Sequence, residues 1–98
     1  MNTLTVMQNA EERDDLSQEY ATMSEEFGKL TSEMDALWLE KRAFMPDATD
    51  TFINKTVSAS ELGKRYHYLK YKMKGYEKRI SSLNSIITVA NNEARGFH

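Results

Sequence analysis

Two stretches of this chain place an apolar or aromatic residue at every third or fourth position without interruption, and that spacing leaves few folds open. In the first, Leu16, Tyr20, Met23, Phe27, Leu30, Met34 and Leu37 are separated by 4, 3, 4, 3, 4 and 3 residues, and the next steps fall on Lys41 and Phe44. In the second, Ala59, Leu62, Tyr66, Leu69, Met73, Tyr76, Ile80, Leu83, Ile87, Ala90 and Ala94 alternate steps of 3 and 4. A mean repeat of about 3.5 residues keeps one helical stripe facing a neighbour while the helices supercoil. The repeat predicts an all-α fold, an antiparallel two-helix coiled-coil hairpin with helices over 9–44 and 59–91. One proline and four glycines in 98 residues are too few for the many turns of an all-β alternative. The length fits a single helical-hairpin domain, completed by dimerisation or by a partner.

Local signals set the expected boundaries. Pro46 lacks an amide hydrogen and biases Met45 away from helix, which stops the first helix near Phe44. Ser58 with Glu61 three residues on reads as a capping box, with Val57 and Leu62 as its hydrophobic staple, so the second helix starts at Ala59. For the first helix Asn9 with Glu12 is one candidate start, and Thr3 or Thr5 are others. The connection 45–57 carries Phe52 and Ile53 over the open end, with a short helical turn near Asp50, and the tail 92–98 frays.

Charge selects direction and register. Residues 1–50 carry 12 acids and 4 bases, whereas residues 51–98 carry 9 bases and 3 acids, so a net charge of −2 hides two opposed halves. The flanking heptad positions of the first helix hold Glu19, Glu26, Glu33 and Glu40, and those of the second hold Arg65, Lys72, Arg79 and Ile86. Antiparallel alignment puts Glu40 beside Arg65, Glu33 beside Lys72 and Glu26 beside Arg79. In that register Leu37 meets Tyr66, Phe27 meets Tyr76, Tyr20 meets Leu83, and Trp38 lies across from Gly63.

Several function classes find little material here. Without cysteine there is no disulfide, thiolate nucleophile or Cys-bound zinc. His67 and His98 are too few and too far apart for a metal centre, and the isolated Gly28, Gly63 and Gly75 form no phosphate loop. The reading is a non-enzyme with no catalytic, cofactor or metal residues. No apolar run approaches the roughly 18 residues of a bilayer span, and Met1–Ala10 has no signal-peptide pattern, so no membrane role and a cytoplasmic location are expected.

Docking to a larger protein is the expected function. Leu39, Tyr68, Tyr71, Ile86 and Val89 are apolar or aromatic yet fall outside the seam. Trp38, Leu39, Tyr68, Tyr71 and Ile86, rimmed by Lys70 and Lys74, are the candidate partner-binding residues. Such a module suits an adaptor, a small chaperone or a stoichiometric inhibitor, a class that includes phage-encoded accessory proteins acting on host enzymes. The alternative is nucleic-acid binding through 64–79, where seven cationic residues interleave with four tyrosines. An outward acidic row, Glu11, Glu12, Asp14, Asp15, Glu25 and Asp35, reads as a solvated face. In length and hairpin form the chain resembles the ESX-type secreted helical hairpins. It departs from them where Trp38-Leu39-Glu40 lies inside a helix without the family's glycine, and no family is assigned.

Overall fold

The computed structural model describes residues 3–95. It is helical throughout, with no strand among the described residues: α1 Thr3–Phe44, α2 Asp50–Ala59 and α3 Glu61–Arg95. Helix α1 packs against α3, consistent with a helical hairpin. Contacts cluster into two compact units, Met23–Lys72 and a second that joins Met1–Thr22 to Met73–His98.

The predicted seam faces inward. Leu16, Tyr20, Met23, Phe27, Leu30, Met34, Leu37 and Lys41 on α1 are buried or half-buried, as are the seam positions of α3 from Leu62 to Ala90. The exceptions are Phe44 and Ala59, both exposed. Six apolar side chains are buried among the described residues, Met23, Leu30, Ile53, Val57, Leu69 and Leu83, and of these Ile53 and Leu83 are fully buried. The seam residue Ala94 lies outside the residues whose side chains are described.

The connection is shorter than predicted. Helix α1 ends at Phe44 ahead of Pro46, and the turn is closed by Met45 N–H donating to Lys41 O (2.9 Å) and Ala48 N–H to Met45 O (3.2 Å). Thr49 then caps α2, its hydroxyl accepting from Phe52 N–H at 3.1 Å. The expected short turn near Asp50 is thus a ten-residue helix that buries Ile53 and Val57. The cap of α3 is Ser60, not Ser58, because α2 runs through Ser58. Ser60 Oγ donates to Val57 O at 2.5 Å and accepts from Gly63 N–H at 3.1 Å, so one hydroxyl closes α2 and opens α3. At the outer ends, α1 begins at Thr3, one of the candidate starts, and not at Asn9, and α3 continues past residue 91 to Arg95. Neither Thr3–Asn9 nor Asn91–Arg95 contains a proline or glycine to stop it. The last three residues of the predicted tail, with His98, lie outside the described residues.

The early start of the return arm changes the register. In the 23–72 unit, Arg65 pairs with Glu26 instead of Glu40, donating from Nε at 2.9 Å and Nη2 at 2.6 Å. Phe27 stacks on Tyr66, not Tyr76, with ring centroids 4.8 Å apart. In the other unit, Arg79 forks onto Glu12 instead of Glu26, at 2.9 and 3.0 Å. Both arginine displacements are 14 residues, two whole heptads, and the aromatic partner of Phe27 moves by ten. A slip by a multiple of seven keeps seam against seam and glutamate against arginine, so neither pattern opposes it. The location of the turn decides.

Candidate functional site

In the 23–72 unit, Trp38 and Arg42 lie one turn apart on α1 and face Asn54 and Asp50, one turn apart on α2. Trp38 Nε1–H donates to Asn54 Oδ1 at 2.8 Å, and the Arg42 guanidinium lies 5.3 Å from the Trp38 ring centroid. Arg42 also donates to Ala48 O at 2.5 Å and pairs with Asp50. This places a cation at the carboxyl end of α1, where the helix dipole favours it, and ties helix, turn and α2 together. Trp38 is therefore half-buried and faces Asn54, not Gly63. With Met34, Asp35, Asn54, Val57 and Ser58 it lines a hollow of ≈ 240 Å³.

Gly63 has a different neighbour. A Cβ built on it would lie 2.3 Å from Val57 O and 2.4 Å from Ser58 O. The position accepts only hydrogen because the first turn of α3 is set directly against the last carbonyls of α2.

The outward face of α3 in this unit is aromatic and cationic. Tyr71 is 83% exposed and Tyr68 56%. Arg65 and Lys72 each place their charge 5.9 Å from the Tyr68 ring centroid, and Lys70 does the same over Tyr66. Neither Lys70 nor Lys72 forms an ion pair with a carboxylate among the described residues. Leu39 on α1 is exposed. Of the remaining predicted contact residues, Lys74 is exposed and Ile86 is half-buried instead of outward, and both belong to the other unit.

Sequence reasoning missed Phe44, 83% exposed, and Phe52, 53% exposed, both close to the turn. The signal for Phe44 was present: a seam position followed two residues later by proline has no residue of the return arm left to cover it.

The other unit holds a reciprocal pair of contacts. Tyr20 Oη donates to Glu77 and Tyr76 Oη donates to Glu19, each at 2.5 Å, so adjacent residues on each helix exchange phenol and carboxylate. Tyr20 and Glu77, with Ser17, Ile80, Ser81 and Asn84, line a groove of ≈ 380 Å³. Among the described residues no three or more His, Cys, Asp or Glu side chains gather to hold a metal, and no helix is long and apolar enough to cross a membrane. Comparison with protein-family models, with curated proteins and with solved structures gives no match.

Proposed function

We propose that this chain is a non-enzymatic interaction module, an adaptor, small chaperone or stoichiometric modulator, that presents a helical face to a larger protein. The observation that carries the reading is the outward face of α3, where Tyr71 at 83% and Tyr68 at 56% exposure stand among lysines away from the seam. Exposed tyrosines bring large contact area with few rotatable bonds, and they recur among the residues that dominate protein interfaces. Leu39 is also exposed in the same unit, on α1 close to the turn, where Trp38 is half-buried and bonded to Asn54. The proposal includes coiled-coil packing of the α1–α3 seam, supported by the unbroken 3,4 spacing and the inward position of its residues.

What supports a protein partner over a nucleic acid is the use already made of the basic stripe. Arg65 and Arg79, the residues best suited to grip phosphate in a fork, are spent on Glu26 and Glu12. Tyr66 is stacked on Phe27 and Tyr76 donates to Glu19, which removes two of the four tyrosines from base stacking. The test is affinity capture with the wild-type chain, with Trp38→Ala and with Tyr68→Ala/Tyr71→Ala. Loss of a captured protein in the tyrosine variant, at unchanged helicity by circular dichroism, is the expected result. Retention of every captured protein by that variant would reject this face, and steep release of bound RNA or DNA with salt would favour the nucleic-acid reading.

A further inference from the structure

Asp35, Trp38 and Arg42 follow one another on α1 at steps of three and four residues and so share one helical face, all within the 23–72 unit. Near the turn, Arg42 pairs with Asp50, and its guanidinium lies 5.3 Å from the Trp38 ring centroid. One helical turn further back, Trp38 donates to Asn54. Beyond that contact Met34 and Asp35 of α1 and Val57 and Ser58 of α2 line the hollow of ≈ 240 Å³. Trp38 thus has a cation with its counter-ion on one side and a carboxylate on the other. That carboxylate is not balanced from within. Asp35 is exposed and makes no hydrogen bond or ion pair among the described residues. Its own helix offers no cation within reach, since the positions three and four away hold Thr31, Ser32, Trp38 and Leu39. Asp35 is also the only charged residue among those lining the hollow.

We propose that this hollow binds a small organic cation, an alkyl ammonium or alkyl guanidinium group. Its N–H donors meet the Asp35 carboxylate, a charge-assisted contact, and the Ser58 hydroxyl oxygen. Its alkyl stem lies against Met34, Val57 and the Trp38 ring. Indole is the side-chain ring that attracts cations most strongly, and the apolar neighbours accept the stem that a metal ion lacks. Volume sets the size of the ligand. The hollow, at ≈ 240 Å³, falls below the about 300–1,000 Å³ of pockets for drug-sized molecules, so it suits a single chain of a few carbons. A free amine and the lysine or arginine side chain of a partner share this chemistry. The site uses neither Tyr68 nor Tyr71, so it goes beyond the docking reading and does not depend on it.

Trp38 is the single tryptophan of the chain, so its emission reports on the hollow directly. The full chain is titrated at constant ionic strength with n-butylammonium, with n-butylguanidinium and with n-butanol as the neutral analogue. Both cations are expected to change the emission saturably, with half the effect at about 10 mM, and butanol only at about five-fold higher concentration. Asp35→Asn keeps the shape of an exposed side chain and removes its charge. It should weaken both cations about five-fold at unchanged helicity and leave butanol as it was. Glu33→Gln removes a charge from an exposed α1 residue outside the hollow and should change nothing. Nα-acetyl-lysine methylamide separates the two sources. Binding as tight as that of butylammonium assigns the hollow to a partner's side chain, and binding by the free amine alone assigns it to a small molecule. Emission that changes linearly without saturation, an equal response to butanol, or an Asp35→Asn variant that binds the cations like wild type overturns the inference. None of these results touches the docking reading, which stands or falls on capture by the tyrosine variant.

Discussion

Replacing Gly63 by alanine should destabilise this protein, while the same replacement at Gly28 and Gly75 should stabilise it. All three glycines lie within helices, where exchange for alanine normally gains about 0.5–1 kcal/mol by restricting the unfolded chain. At Gly28 and Gly75 a new Cβ meets nothing within 4 Å, so that gain is realised in full. At Gly63 the Cβ would overlap two backbone oxygens, Val57 O at 2.3 Å and Ser58 O at 2.4 Å. Backbone does not rotate aside as a side chain does, so the first turn of α3 or the end of α2 must move. Overpacking of this kind costs about 1–3 kcal/mol. Undocking α2 is the alternative, and it exposes Ile53 and Val57, at about 1.5–3 kcal/mol each. The smaller of these costs, less the propensity gain, leaves Gly63→Ala about 1–2 kcal/mol below wild type. For a domain of this size that lowers the melting temperature by roughly 4–16 °C, against a rise of roughly 2–8 °C for the other two. Thermal melts followed at 222 nm, at one fixed protein concentration, measure all three. A Gly63→Ala variant that melts at or above wild type would refute the close approach of α2 and α3 on which the reasoning rests.

Three further outcomes follow from the same contacts. The chain has no native cysteine, so Phe27→Cys with Tyr66→Cys should crosslink under mild oxidation, and Leu37→Cys with Tyr66→Cys should not; the reverse would restore the register read from charge alone. Thr49→Ala removes the cap of α2 and should cost about 1 kcal/mol in urea denaturation, whereas Ser58→Ala should cost almost nothing, since Ser58 is exposed within α2. Asn54→Ala leaves the indole N–H of the single tryptophan without its acceptor and should shift its emission and lower stability by about 1 kcal/mol; unchanged fluorescence would place Trp38 away from α2.

Faces were legible in the sequence and register was not, for a physical reason. Apolar spacing reports which side of a helix turns inward, and every α1 seam residue from Leu16 to Lys41 does so. Spacing with a seven-residue period carries no information about slips of seven or fourteen, and the glutamates at 12, 19, 26, 33 and 40 repeat with that same period. The deciding information lay in the turn. Thr49 ahead of Asp50 and Phe52 is a helix start of ordinary strength, yet the capping pattern at Ser58 and Glu61 outweighed it. With only a short turn expected near Asp50, eight residues of α2, 50–57, fall within the predicted connection. The candidate site shows the same division. Leu39, Tyr68, Tyr71, Lys70 and Lys74 are exposed, as their heptad positions imply. Ile86 is half-buried and Trp38 is engaged by Asn54, both depending on neighbours that only the true register supplies.

Ser60 divides the main-chain ladder as well as capping two helices. The carbonyl of Ser60 starts α3 by accepting from Lys64 N–H at 2.9 Å, while its own N–H returns to Val57 O at 3.1 Å and ends α2. No helical hydrogen bond need break in α3 for α2 to open. The ten residues of α2 are held in place by the side chains of Ile53, Val57 and Asn54, by the Arg42–Asp50 pair and by the Ser60 bonds to Val57 O, and form a segment able to melt and reclose while the rest of the chain keeps its structure.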